Sequence, residues 1–311
     1  MKITVLDGYA ANPGDISWKE IEDLGELTVL DRTAPCDIIE KAKDTEILLT
    51  NKCSITDEII SALPRLKYIG ELATGYNNID VKSAARHGVA VANIPAYSTE
   101  SVVQHVFAFM LEIASSVGVH SEACLNGKWQ TNPDFCFWIN PLVEINGKKL
   151  GIIGNGKIGS RVAEVGRAFG MDVTAYSPSK CDKSVLEKII AESDVISLNC
   201  PLKPDNAGMI NKETISRMKK GVWLINTARG GLVDEQAIAD ALKVGQIGWY
   251  AADVVTHEPI NADSPLLTAP HVYLTPHIAW APYEARVRLM HIAAENIKAF
   301  LSGERLNRVE G

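Results

Sequence analysis

The 311 residues contain no apolar run longer than Val106 to Leu111, far short of the roughly 20 residues that a membrane-crossing helix needs. No membrane partner is expected. Positive charge is also scarce: 31 Lys and Arg stand against 38 Asp and Glu, a formal charge of -7, which argues against broad binding to nucleic acid or anionic lipid. An anionic ligand must therefore be held by a few local cations. The six cysteines (Cys36, Cys53, Cys124, Cys136, Cys181 and Cys200) show no Cys-x-x-Cys pair and no spacing with histidine suited to a metal, so reduced thiols and no metal site are expected. Low-complexity tracts, charge blocks and repeats are missing too, which excludes disordered and solenoid architectures. The start, Met1 to Leu6, reads as a first strand with no signal peptide in front, and the expected location is the cytoplasm.

What is present is an ordinary globular balance, 46% hydrophobic and 22% charged, and a length that suits about two domains. Short strand-like runs alternate with segments of helical period, the pattern of βαβ units around parallel sheets. One series runs Ile3–Leu6, Leu27–Leu30, Ile47–Leu49, Tyr68–Leu72 and Val89–Val91, with amphipathic stretches Ile55–Leu63 and Asp80–His87 between strands. A second runs from Leu150–Gly154 through Val173–Tyr176, Val195–Leu198, Val222–Ile225 and Ile247–Val254 to Val272–Leu274. Between them, Val102, Val103, Val106, Phe107, Met110 and Leu111 recur at helical spacing, so a long buried helix over Ser98–Gly118 is predicted, with Ser98 or Thr99 as N-cap. Tyr283–Leu301 is the last amphipathic stretch.

Gly154-Asn155-Gly156-Lys157-Ile158-Gly159 follows a strand and opens a helix, the context that turns a weak glycine pattern into a dinucleotide fingerprint. Gly154 permits the turn, Gly156 admits a pyrophosphate and Gly159 lets helix and strand pack closely, while the helix N-terminus offers free N–H groups. The fingerprint expects an acid at the end of the next strand to hold the ribose 2′-hydroxyl. Ser177 stands there instead, with Lys180 three residues on. A 2′-phosphate would meet no repulsion, so NAD and NADP both remain open.

Later strands end in Asn226-Thr-Ala-Arg-Gly-Gly231, Asp253-Val-Val-Thr-His-Glu-Pro259 and Thr275-Pro-His-Ile-Ala-Trp280. With the glycine loop, Ala73-Thr-Gly-Tyr-Asn-Asn-Ile-Asp80 and Asn93–Val102, they resemble the D-isomer-specific 2-hydroxyacid dehydrogenase family over nearly the whole chain. The segment Pro133–Trp138 and the His277–Trp280 ending look most like the glycerate dehydrogenase, or hydroxypyruvate reductase, branch. The resemblance implies a substrate-binding arginine at Arg229, its acidic partner at Glu258 and an acid/base at His277. A 2-oxo acid suits these groups, because a guanidinium pairs a carboxylate and polarises the adjacent ketone with a fixed fork of donors. Reducing the ketone then needs a proton, which imidazole gives near neutrality, and a carboxylate beside the ring favours the protonated form and fixes it. His257 and His271 are weaker candidates for the base, since neither stands at the family position.

The resemblance further implies that backbone N–H groups of Ala73, Thr74 and Gly75 bind the substrate carboxylate, with Lys52 nearby. Asp253 would meet the nicotinamide carboxamide, Thr227, Ala228, Cys200, Pro201 and Ala279 would line the cofactor, and Trp138 would reach the active site of a partner in a homodimer. The implied fold is α/β, with two doubly wound parallel-sheet domains. Residues 1–97 and 287–311 would form a discontinuous flavodoxin-like substrate domain, and residues 98–286 a Rossmann cofactor domain, with the active site in the cleft. The expected reaction is reduction of hydroxypyruvate or glyoxylate to the D-hydroxy acid. Phosphoglycerate or 2-ketogluconate dehydrogenases and a non-catalytic dinucleotide sensor are the alternatives. The sensor is disfavoured by the complete Arg229, Glu258 and His277 set. The phosphoglycerate reading is disfavoured by the lack of a regulatory C-terminal extension and of extra cations beyond Lys52.

Overall fold

The computed structural model describes residues 1–309. Cα proximity divides the chain into two compact units, Met1–Ser98 with Ala281–Gly311, and Thr99–Trp280. The first unit carries β1 (Lys2–Val5), β2 (Glu26–Val29), β3 (Ile47–Thr50), β4 (Tyr68–Glu71) and β5 (Ala90–Ala92) in the order β2-β1-β3-β4-β5, every pair parallel. Strands buried on both faces read as continuous apolar runs, and β3 and β4 are buried at every position. Two crossovers carry capped helices. Thr56 accepts the Ile59 amide at the start of α1 (Asp57–Ala62) and Asp80 the Ser83 amide at the start of α2 (Val81–Arg86), which satisfies an amide that has no partner inside the helix.

The second unit opens with α3 (Thr99–Ser115) and α4 (Val117–Leu125). The predicted single helix over 98–118 breaks because Ser116 takes φ +48, a left-handed conformation that an α-helix cannot contain. The His120 ring nitrogen then sits 2.7 Å from the Ser116 carbonyl. Among the described residues no single helix is long and apolar enough to cross a membrane. α3 and α4 pass that test only as a pair, bent by 58°, and α3 buries Val103, Val106, Phe107, Met110 and Ile113 against the sheet.

That sheet comprises β6 (Lys149–Ile153), β7 (Asp172–Tyr176), β8 (Val195–Leu198), β9 (Val222–Asn226), β10 (Ile247–Ala252) and β11 (Val272–Leu274), again wholly parallel. Leu150, Ile152, Trp223, Ile225 and Ala251 pack on α3 and on α5 (Lys157–Ala168). The alternate residues Ile153, Ile196, Leu198, Leu224, Tyr250 and Ala252 pack on α6 (Lys183–Glu192) and α7 (Glu235–Lys243). The order β11-β10-β9-β8-β6-β7 refines the expected Rossmann arrangement: one strand, not two, lies outside β6, giving the flavodoxin-like order with a sixth strand added. The observed strands begin and end within two residues of the predicted ones.

The last helix, α8 (Tyr283–Leu301), belongs to the first unit. Arg286 makes a two-pronged ion pair with Asp15 at 2.7 and 2.6 Å, Arg288 donates to the Tyr97 carbonyl, and Asn296 to that of Asn93. Residues 281–286, expected with the cofactor domain, therefore group with the first unit: the helix that contains Arg286 is continuous and its anchors lie there. At the end of β4, Glu71 is 1% exposed. One carboxyl oxygen accepts from Asn78 and the other has no partner among the described residues, and burial pushes its pKa from 4.5 up to about 9.

A carboxyl with a raised folded pKa keeps a proton that the unfolded chain has released, so it costs stability progressively as pH climbs from about 4.5 toward 9. Glu71→Gln removes that cost. Calorimetry should show a Tm gain of roughly 2–5 °C at pH 8 and almost none at pH 5, whereas an equal shift at both would mean that the buried carboxyl is already ionised.

Candidate active site

Parallel pairing aligns the six strand ends of the second unit in one row. Tyr176 pairs with Ile153, Ile153 with Leu198, Leu198 with Asn226, Asn226 with Ala252, and Ala252 with Leu274. The next residues are Ser177, Gly154, Asn199, Thr227, Asp253 and Thr275. The groups singled out in this half of the sequence, Trp138 and His271 excepted, sit at this carboxyl edge or on the segments that leave it, which is where open α/β sheets bind ligands; His271 precedes β11 and lies at the opposite edge.

The glycine loop begins at Gly154, whose φ is +103 and whose Cβ would lie 2.5 Å from the Asn199 carbonyl carbon. At Gly159 a Cβ would lie 1.9 Å from the Gly154 carbonyl oxygen, so α5 approaches β6 only without a side chain there. Gly156 differs. Its φ of -86 suits any residue, and a Cβ on it would touch nothing within 4 Å. Gly156 is also the N-cap of α5 and no side chain caps that helix, so the first amides, those of Lys157, Ile158 and Gly159, lack a capping acceptor. Beyond β8, Cys200 is partly buried and burial raises its thiol pKa, while the Pro201 carbonyl accepts from Asn206. Two buried polar atoms at the same edge, Asn199 Oδ1 and Thr227 Oγ1, have no hydrogen-bond partner among the described residues. An open cradle, an uncapped helix start and two orphaned polar atoms fit a polar, anionic ligand laid along the edge. After β7, Lys180 and Cys181 donate amides to the Ser177 carbonyl, closing a tight turn in which the Ser177 and Ser179 hydroxyls lie 3.3 Å apart and the Lys180 side chain is exposed.

Arg229 follows β9 and is placed by its neighbours. The buried Asn226 side chain accepts the Ala228 amide and donates to the Arg229 carbonyl, and a Cβ on Gly230 would lie 2.0 Å from the Val255 backbone. The exposed guanidinium donates to the Ala228 carbonyl and to no other group among the described residues. His277 Nδ1 and Glu258 Oε2 lie 2.6 Å apart with side chains 26% and 35% exposed, short enough for a charge-assisted hydrogen bond. That contact commits Nδ1 and leaves Nε2 for proton exchange with a ligand.

Asp253 explains how the ring is presented. The carboxylate, 1% exposed, accepts the Ile278 amide at 2.8 Å, the Ala279 amide at 2.8 Å and the Thr275 hydroxyl at 2.6 Å. These donors bracket His277, whose φ of +56 costs a non-glycine residue roughly 1–2 kcal/mol. Asp253, expected at a nicotinamide carboxamide, thus has a supporting part that the sequence did not reveal, and Ala279 spends its amide on it. His105, from α3, was also missed: its Nε2 is 2.9 Å from Thr275 Oγ1. A histidine within a largely apolar helical segment was the available signal.

In the first unit, Asp7 accepts the amides of Asn51, Lys52 and Cys53, which leaves the Lys52 side chain exposed. The loop of Ala73, Thr74 and Gly75 is pinned by Thr74 Oγ1 to the Ile94 carbonyl and by Asn93 to the Thr74 carbonyl. Its own three N–H groups find no acceptor among the described residues. Trp138, in the second unit, is 66% exposed on a segment that folds upon itself, with Trp129 donating to the Phe135 carbonyl. It makes no hydrogen bond or ring contact with Arg229, Glu258 or His277 of its own chain.

Residues 107–279 match the model of a protein family described as D-isomer specific 2-hydroxyacid dehydrogenase, NAD binding domain. The chain is 46% identical over 320 residues to a hydroxypyruvate reductase of Blautia hydrogenotrophica, spanning 99% of each. It is 39% identical over 279 residues to a glycerate dehydrogenase of Methylorubrum extorquens, covering 89% of each. Among solved structures, an acyclic imino acid reductase in complex with NADPH and D-Arg superposes with a TM-score of 0.86 at 33% identity, over 99% of this chain and 100% of that one.

The two kinds of glycine separate fold from binding. Gly159→Ala should destabilise the chain by roughly 2 kcal/mol or more through overpacking. Gly156→Ala should leave Tm within about 2 °C yet weaken dinucleotide affinity at least tenfold in a fluorescence titration. Undiminished affinity would place the pyrophosphate elsewhere.

Proposed function

The chain belongs to the D-isomer-specific 2-hydroxyacid dehydrogenase family and is an NAD(P)-dependent oxidoreductase; from that premise we propose that it reduces hydroxypyruvate, and glyoxylate as a smaller analogue, to the D-glycerate and glycolate products. The observation that carries this reading is the 2.6 Å His277–Glu258 pair on the same carboxyl edge as Arg229. NADH or NADPH, when bound, supplies the hydride. The amides of Lys157, Ile158 and Gly159 hold its pyrophosphate, and Thr227, Ala228, Cys200, Pro201, Asp253 and Ala279 line its path. Arg229 directs its remaining N–H donors to the carboxylate and ketone oxygens of the 2-oxo acid. Negative charge that grows on the ketone oxygen is quenched by the proton on His277 Nε2, while Glu258 holds Nδ1 and stabilises the charged ring. In oxidation Nε2 takes the proton back. The free amides of Ala73, Thr74 and Gly75 serve the substrate carboxylate, with Lys52 as a further cation.

A homodimer is part of this reading. Leu125, Trp129, Phe135 and Trp138 are 86%, 56%, 88% and 66% exposed on one self-bonded segment, a concentration of apolar surface that marks a protein contact. A second copy is the occupant we assign, Trp138 reaching the partner's site. Six unpaired cysteines accord with the reducing cytoplasm.

Steady-state reduction of hydroxypyruvate and glyoxylate tests the assignment. His277→Gln should lower kcat by about 10²–10⁴-fold, and wild type inert toward every 2-oxo acid, or a fully active variant, would end it. In the same assays Lys180→Ala should raise KM several-fold for NADPH and leave NADH within about twofold, as loss of a phosphate contact requires; equal losses would remove Lys180 from the 2′-position. Sedimentation should find a dimer at micromolar concentration, with Phe135→Glu shifting it to monomer, and a monomeric wild type would refute the contact.

A further inference from the structure

His105 stands one turn before Phe109 on α3, a helix that buries Val103, Val106, Phe109 and Met110 in the core. Its side chain is 19% exposed and its ring stands edge-on to Phe109, centroids 4.6 Å apart at 84°. The polar tip reaches Thr275 Oγ1 at 2.9 Å, with Asp253 Oδ1 3.7 Å away. Proton positions follow from the donors available. Thr275 has one hydroxyl hydrogen and Asp253 Oδ1, 2.6 Å off, accepts it. The Thr275 oxygen must then accept from His105, so the His105 proton sits on Nε2. Burial keeps this ring below the usual histidine range against the pull of the Asp253 charge, so it donates as neutral imidazole.

The chain of contacts thus runs from α3 to the loop after β11. His105 N–H orients the Thr275 hydroxyl, the hydroxyl orients Asp253, and Asp253 holds the amides of Ile278 and Ala279 on the far side of His277. On the near side the His277 amide returns to the Thr275 carbonyl at 3.0 Å. His277 is therefore fixed in its left-handed conformation from both flanks, and only from there does its ring meet Glu258. We propose that His105 and Thr275 are positioning residues for the reaction, touching neither substrate nor cofactor but fixing, through Asp253, the backbone that aims His277. The proposal rests on His277 being the acid/base.

Four variants test it. Thr275→Val keeps the shape and removes the hydroxyl, and His105→Leu removes the donor; each should lower kcat about 10- to 100-fold, the scale of a small misplacement of a catalytic group, with dinucleotide affinity within threefold of wild type. Thr275→Ser and His105→Gln, which keep a donor, should recover to within about fivefold. A second readout does not depend on turnover: hydrogen–deuterium exchange of the Thr275–Trp280 peptide should quicken at least tenfold in Thr275→Val while β9 and β10 stay protected. If Thr275→Val keeps kcat within twofold and its exchange is unchanged, or if only KM for the dinucleotide rises, the proposal is overturned. Should wild type reduce no 2-oxo acid, the role of His277 falls, and the exchange rates alone still decide whether this network holds its loop.

Discussion

The in-register ladder of the six-stranded sheet is the constraint from which the rest of the site follows. Parallel strands paired from Tyr176 to Leu274 through four intermediate residues end at one level, so the first residue past each strand joins a common row. A slip of one residue in any ladder would turn that strand's side chains to the opposite face. Both faces are covered by helices and packed with their own set of apolar side chains, so such a slip would force each side chain into the layer shaped for the other set. Core packing therefore fixes the position of Gly154, Thr227, Asp253 and Thr275 more firmly than any contact they make with one another.

On that row, buried polar groups are spent unequally. Asp253 accepts three protein donors, and Asn226 is tied to both flanks of the Ala228–Arg229 turn. Their bonds recover the desolvation cost of a buried carboxylate and amide. Asn199 Oδ1 and Thr227 Oγ1 recover nothing from the described protein. The protein-bonded groups set the geometry of Arg229 and His277, and the unpartnered ones lie at the same strand ends, where Asn199 Oδ1 needs a donor and Thr227 Oγ1 a donor or an acceptor.

The sequence made the outline of both sheets legible because short apolar runs alternating with segments of helical period are local signals. Arg229, Glu258 and His277 were legible through motif resemblance rather than through any local property, since each alone is an ordinary residue beside a strand. Three features were not readable in advance. The break at Ser116 depends on a left-handed serine that His120 and the preceding turn stabilise together. The single strand outside β6 depends on pairing between segments far apart in sequence. The part played by Asp253 and His105 joins residues 148 positions apart, and nothing in either local sequence announces the other. The same distance problem displaced the second domain boundary: Arg286 reaches Asp15, which only the folded chain brings to it.

Glycines show why structure adds more than motif matching does. Gly154, Gly159 and Gly230 are each forced by the protein itself, with a would-be Cβ lying between 1.9 and 2.5 Å from backbone atoms. Their presence is sufficiently explained by folding, and they would be required in a chain that bound nothing. Gly156 has an unremarkable φ and open space around it, and alanine at that position would disturb no neighbour. A residue whose side chain is omitted where the fold would tolerate one is accounted for by something outside the fold. The uncapped amides that open α5 beside it are the groups to which the proposed function assigns the pyrophosphate. His277 is the contrary case: a non-glycine held at φ +56 keeps a side chain where the backbone would prefer none, and the bonds from the Ile278 and Ala279 amides to Asp253 are what offset that strain.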